Sequence, residues 1–227
     1  MTLRRALGAL GAACALLGPG TAAAHDTPTA PDPPAVMDFV PPAPGTYRLP
    51  PIMAAPAGTV LDLQGRRQPL ARFTRDKITV LSFIYTGCAD ARGCPLAYQV
   101  FHTVHDRLRA SPALREHVRL VTLSFDPVHD TPKAMRRYAN GVLGEAPSGV
   151  EWTFLTTASS RDLLPLLDGF GQDVQVERVA RNGHAPRLGH VLKVFLIDSR
   201  GTIREIYTTS YLFPDVVLND IETLRRE

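Results

Sequence analysis

Residues 78–85, Ile-Thr-Val-Leu-Ser-Phe-Ile-Tyr, form an almost unbroken run of β-branched, aliphatic and aromatic side chains. A strand with one wet face alternates apolar and polar positions, so a continuous run predicts a central strand buried on both faces. The period then changes. Within residues 95–109, Leu96, Val100, Val104 and Leu108 recur every fourth position, which is a single helical stripe. Residues 117–125 return to the strand pattern. Asp130-Thr131-Pro132 then reads as a helix start, with a capping residue and a proline in the first turn, and the helix runs to about residue 138. A short strand over 152–155 and a helix over 160–168 follow. The apolar runs 191–197 and 202–207 flank Asp198-Ser199-Arg200-Gly201, a turn ending in glycine, and predict a hairpin. A last helix covers 214–226, and there is no internal repeat.

Alternating strands and helices followed by a hairpin and a final helix predict an α/β domain of thioredoxin-like order. Its expected architecture is a central mixed sheet flanked by helices, with a C-terminal β-hairpin and helix and an insertion before the hairpin. The 227 residues suffice for one such domain and a hydrophobic core. Upstream the pattern is lost: ten prolines fall between His25 and Pro56. Proline removes backbone donors and resists helix and sheet alike, so residues 25–45 read as a flexible tether and residues 46–227 as the domain.

Residues 1–24 have the order of a secretory signal peptide: Arg4 and Arg5, an apolar run from Ala6 to Leu17, a Gly18-Pro19-Gly20 break, then small residues that predict cleavage after Ala24. Cys14 is a weaker candidate for a lipid anchor, because Gly11 stands where a large aliphatic residue is expected. The formal charge is +3, and without Arg4 and Arg5 it is 23 basic against 22 acidic groups, or +1. That balance excludes a nucleic-acid binder driven by bulk charge. Outside the leader no apolar run is long enough to cross a bilayer, so the expectation is an exported, periplasmic protein without a transmembrane span.

With Cys14 in the leader, Cys88 and Cys94 remain. An exported chain with one close cysteine pair holds a structural disulfide, a metal site or a redox pair. The two lie in Tyr85-Thr86-Gly87-Cys88-Ala89-Asp90-Ala91-Arg92-Gly93-Cys94-Pro95, between the buried strand and the helix. Unpaired N–H groups and the positive end of the helix dipole favour thiolates there. Five intervening residues exceed the two to four typical of zinc fingers. A third metal ligand has to come from His25, His102, His105, His117, His129, His184 or His190. His190 is the best placed, because it immediately precedes the 191–197 strand, whose start faces the strand-to-helix loop in a thioredoxin-like fold. Two thiolates and one imidazole suit copper, Cu(I) through the soft sulfurs and Cu(II) through the imidazole. His102 and His105, three apart among charged residues, are expected on a solvated helix face, and His184 on a loop.

The strand Leu81-Ser82-Phe83-Ile84-Tyr85-Thr86 leading to two cysteines and Pro95, then Ser124-Phe125-Asp126-Pro127 with Asp130-Thr131-Pro132, then His190 ahead of Leu196-Ile197-Asp198 and Gly201, together resemble the SCO/SenC family. The resemblance runs from about Gly45 to the C-terminus. It implies a thioredoxin-like fold and delivery of copper to the CuA centre of cytochrome c oxidase. The partner would be the oxidase subunit that carries copper, or another periplasmic copper protein. By position Cys88, Cys94 and His190 would be the copper ligands, with Asp126 a nearby acidic residue acting only behind them. The chain departs from the family in its wider cysteine spacing and in carrying Gly189 where an aspartate usually precedes the histidine.

The competing reading is a thiol–disulfide oxidoreductase that reduces the cysteines of a copper-site target, with Cys88 and Cys94 as attacking and resolving thiols. Enzymes of that class usually have two residues between their cysteines and a proline just before the strand where His190 sits; here there are five and Gly189. A peroxidase reading of Cys88 lacks both the proline-rich approach and an arginine that the sequence can place.

Overall fold

The computed structural model describes residues 36–143, 149–177 and 187–227, with main chain alone at 176, 177 and 187. The leader, Cys14, the cleavage point after Ala24 and His184 lie outside the described residues. Three short strands, β1 (Met53–Ala54), β2 (Thr59–Leu61) and β3 (Arg67–Pro69), precede the short helix α1 (Ala71–Thr74). The apolar run 78–85 becomes β4 (Ile78–Ile84), buried at all seven positions. After it come α2 (Cys94–Arg109), α3 (Pro112–Arg115) and β5 (Val118–Ser124), which is again buried throughout. The chain continues through α4 (Pro132–Tyr138), α5 (Asn140–Leu143), β6 (Glu151–Leu155) and α6 (Ser160–Phe170). It ends with β7 (Val174–Glu177), β8 (Arg187–His190), β9 (Val194–Ile197), β10 (Thr202–Tyr207) and α7 (Pro214–Arg226).

One six-stranded mixed sheet, in the order β1-β10-β9-β4-β5-β6, organises these elements. The β4–β5 and β5–β6 pairs are parallel, while β9 runs antiparallel to β4. Side chains alternate between two cores across this sheet. Val80 and Ile84 join Val100 and Val104 of α2 and Ile221 of α7 on one side. Leu81 and Phe83 join Leu166 and Phe170 of α6 on the other. Burial on both faces is the reason β4 reads as an almost continuous apolar run. The few polar positions in these strands find partners: Trp152 Nε1 donates to Thr122 Oγ1 at 3.0 Å.

The structure changes several expectations. The hairpin strand begins at Val194, not at residue 191, and His190 closes β8, a separate strand paired antiparallel with β7 and registered Val174 to His190. No alternation announced this ribbon, whose β8 strand, Arg-Leu-Gly-His, holds one large apolar residue. His105, expected in solvent, is buried, with its ring 5.5 Å from that of Trp152, and His102 lies edge-on to Trp152 at 4.9 Å. The α2 stripe is broader than the sequence reading because Ala97, Phe101 and His105 widen it. The described part of the proline-rich stretch lies along α7. Gly45 N–H donates to Thr223 Oγ1 at 2.9 Å and Asn219 Nδ2 to the Pro42 carbonyl at 2.9 Å, and the Phe39 ring is 6.0 Å from that of Tyr211. Packed chain therefore begins upstream of Thr46.

Candidate metal centre

The loop from Tyr85 to Gly93 joins β4 to α2, at the carboxyl end of a parallel strand, where open α/β sheets place their sites. Its start is clamped by Asp130, whose buried carboxylate accepts Thr86 N–H at 3.0 Å, Thr86 Oγ1–H at 2.5 Å and Ser124 Oγ–H at 2.6 Å. Its far end turns at Asp90, which accepts Arg92 N–H on Oδ1 at 3.0 Å and Gly93 N–H on its carbonyl at 2.9 Å. Pro95 then sits in the first turn of α2, fixing Cys94 as the first helical residue. Cys94 is buried, Cys88 is half-buried, and both are free thiols.

His190 arrives from the other side on β8, 96 residues along the chain, with Nε2 3.7 Å from Cys94 Sγ. One ligand atom each from Cys88, Cys94 and His190 lie within 4.8 Å of one another, the only such cluster of three or more among the described residues. Aromatic rings hold the imidazole: Phe125 edge-on at 4.6 Å and Tyr85 at 6.4 Å. His190 Nδ1 is buried and has no hydrogen-bond partner among the described residues. A ligating histidine ordinarily donates its second N–H to a carboxylate or carbonyl. Here shape performs the orienting, consistent with glycine at position 189.

The two thiols titrate as a pair. The hydrogen bond from the Cys94 thiol, aided by His190 and by backbone N–H groups, lowers Cys88 to about 4 despite its partial burial. The ionised neighbour, together with burial, pushes Cys94 well above the ordinary thiol range. The pair therefore favours placing negative charge on Cys88, the more accessible sulfur. Three ligands bonded at about 2.0–2.3 Å to a central ion in their plane stand roughly 3.5–4 Å apart. The 3.7 Å separation of Nε2 and Sγ already meets this, and the rest of the cluster needs at most about 1 Å of closure.

Of the predicted site residues, Cys88, Cys94 and His190 come together. Asp126 pairs instead with His129, Oδ2 to Nδ1 at 2.8 Å. Asp130 is the carboxylate that reaches the cysteine loop. The sequence placed it in a helix start, but the cap is made by Thr131, whose side chain accepts Ala134 N–H, leaving Asp130 for Thr86. The packing of Phe125 on His190 was not foreseen, because a buried aromatic at a strand end carries no sign of what it packs against.

Two thiols and an imidazole gathered at the end of a parallel strand, on this sheet order, define a thioredoxin-like domain carrying a metal-binding or redox cysteine pair. The chain belongs to the SCO1/SenC family, whose profile matches residues 60–226. Solved structures share the fold. Arabidopsis thaliana ScoI with copper bound has a TM-score of 0.63 at 16% identity, covering 77% of this chain and 99% of that one. Apo Sco1 from Thermus thermophilus has a TM-score of 0.62 at 25% identity, covering 79% and 95%. BsSco, described as a Sco family member among cytochrome c oxidase assembly proteins and as having a disulfide switch, has a TM-score of 0.59 at 20% identity, covering 78% and 98%. No curated protein sequence matches the chain.

Proposed function

We propose that this chain is an exported copper-binding chaperone in which Cys88 Sγ, Cys94 Sγ and His190 Nε2 hold one copper ion and pass it to the CuA centre of cytochrome c oxidase. The observation that carries this reading is the approach of His190 to the cysteine pair. Support comes from the SCO1/SenC family match, from the copper in the similar Arabidopsis ScoI, and from the description of BsSco as an oxidase assembly protein. Copper is cargo here, so the site has to hold it and release it. Two soft sulfurs and a neutral imidazole give Cu(I) a three-coordinate site and remain acceptable to Cu(II). Cys88 is the ligand an incoming donor from the acceptor reaches first, because it is the more exposed sulfur and lies on the loop. Release then proceeds by ligand exchange, one bond forming as another breaks. Cys94 loses its proton when the ion binds. Asp126 is outside the ligand set and, with His129, braces the segment between Phe125 and Asp130. Residues 1–24 supply export and the following prolines the reach.

Copper titration of the purified domain tests this. The expected result is about one equivalent per chain, with sulfur-to-copper absorption in the Cu(II) form. His190→Ala weakens binding by at least the roughly 10–100-fold that even outer ligand partners contribute. Full copper retention in the Cys88→Ser/Cys94→Ser double variant would refute the reading. Reduction of a target's disulfide is a second reading, favoured by one observation: both thiols are free and one is strongly acidic. Turnover on a disulfide substrate no faster than free dithiol eliminates it.

A further inference from the structure

Helix α6 ends in Gly171, whose φ of +60° lies in the left-handed region that glycine favours. Gly171 N–H donates to the Asp168 carbonyl at 3.0 Å and Gln172 N–H to the Leu167 carbonyl at 2.8 Å, which closes the helix and fixes where the next side chain leaves it. The helix end is itself anchored, since the Phe170 ring lies 5.2 Å from that of Phe83 in β4 and 4.8 Å from that of Phe195 in β9. Gln172 therefore starts from a firm base, and it is 3% exposed. Its Nε2 donates to the Val191 carbonyl at 3.0 Å and to the Asp173 carbonyl at 3.3 Å. Both neighbours are acceptors only, so the amide nitrogen and not the oxygen faces them. Oε1 is buried with no partner among the described residues. A buried amide oxygen without a donor is unfavourable, and an apolar side chain of the same length would fill this space without that penalty. What the amide adds over such a side chain is a tie from the end of α6 to the main chain one residue beyond His190. Lys193 Nζ makes a second tie to the same corner by donating to the Gly171 carbonyl.

The tie falls where other support ends. His190 and Val174 form the terminal registered pair of the β7–β8 ribbon, and the chain joins the main sheet only at Val194. His190 Nδ1 has no hydrogen-bond partner among the described residues, so the ring is directed by the rings packed on it and by the path of its own main chain. That path governs how Nε2 stands against Cys94 Sγ, 3.7 Å away. We infer that Gln172 is a positioning residue of the copper site: by holding the Val191 carbonyl it fixes the backbone of His190 and presents Nε2 to the two sulfurs. The inference deepens the chaperone reading and rests on it for the metal, while the hold on His190 belongs to the copper-free protein as well.

Gln172→Met tests this in the whole mature domain, because it keeps the length of the side chain, removes the donor, and is a change of nearly constant volume that leaves a domain folded. Competition titration is expected to show Cu(II) affinity lowered about tenfold, the lower end of what outer partners of a metal ligand contribute, and Cu(I) affinity lowered less, since the two soft sulfurs dominate there. The sulfur-to-copper absorption and the electron paramagnetic resonance spectrum of the Cu(II) form change with it. In a His190→Ala background Gln172→Met causes no further loss, a result that a general structural role for the glutamine would not give. Without copper, amide nitrogen relaxation shows lower order at His190 and Leu192 in Gln172→Met than in the parent protein. A parent protein that binds no copper refutes the chaperone reading, and the relaxation measurement then decides the positioning role by itself. Three results overturn the proposal: Cu(II) affinity and spectra equal to those of the parent, an undiminished loss in the His190→Ala background, or unchanged order at His190 in the copper-free variant.

Discussion

Replacing Asp130 by alanine removes the one acceptor shared by Thr86 and Ser124. The carboxylate is 1% exposed and takes three hydrogen bonds, at 3.0, 2.5 and 2.6 Å. A hydrogen bond to a charged group contributes about 1.5–3 kcal/mol, and a buried donor left unpaired costs about 1–3 kcal/mol. Ser124 is buried and bears that cost in full, whereas Thr86 is exposed and its two donors can turn to water. The expected loss is therefore about 2–4 kcal/mol, not the sum of three charged bonds. A domain with 5–15 kcal/mol of stability remains folded after such a loss. Urea denaturation of the apo domain measures the stability, and a copper competition titration measures the site. Asp130→Ala is expected to lower both, because Thr86 fixes where the cysteine loop leaves β4. Ser124→Ala removes the hydroxyl that donates to Asp130 and accepts Asp126 N–H at 3.0 Å but leaves the Thr86 clamp, so it is expected to cost about 1–3 kcal/mol and to leave copper affinity alone. A stability loss below about 0.5 kcal/mol for Asp130→Ala, or a copper affinity that falls equally in both variants, would refute the clamp reasoning.

Two further outcomes follow from particular contacts. Gly169 in α6 faces Pro56 so closely that an added Cβ would stand 2.4 Å from the proline Cβ, so Gly169→Ala is expected to cost about 1–3 kcal/mol by overpacking, measured by thermal unfolding; an unchanged Tm would show that Pro56 simply moves away. Burial raises the Glu205 and Asp220 carboxyls above their ordinary values, with the phenols of Tyr47 and Tyr207 donating to Asp220. A carboxyl raised on folding binds its proton more tightly in the native chain, so the stability it contributes is present in acid and is lost as pH rises through the folded value. Glu205→Gln is therefore expected to raise Tm at pH 7 and to converge with the parent protein near pH 4, and a constant difference across that range would contradict the assignment.

Local pattern was sufficient wherever the neighbours along the chain decide the outcome. The two-sided burial of β4, the strand pattern of β5, the start of α2 next to Pro95, the Gly201 turn and the last helix were legible because each depends on side-chain period or on a residue with restricted backbone angles. The cysteine pair was legible for the same reason, being set between a strand and a helix that both announce themselves. His190 could be nominated from its place ahead of a strand, but not for the right structural cause. It is held by β8 against β7, and pairing between two four-residue strands leaves little trace in either. Charge near His105 suggested water, yet Trp152, brought in from β6, buries it. Asp130 looked like a helix start until the end of β5 brought it under Thr86. The sequence by itself therefore determined the layered sheet and the chemistry of its two sulfurs, since hydrophobic period and local turn chemistry act over a few residues. Only the tertiary structure decided which imidazole meets those sulfurs and which carboxylate clamps their loop, because side chains 44 and 96 residues apart are brought together by core packing and strand register, which no local segment encodes.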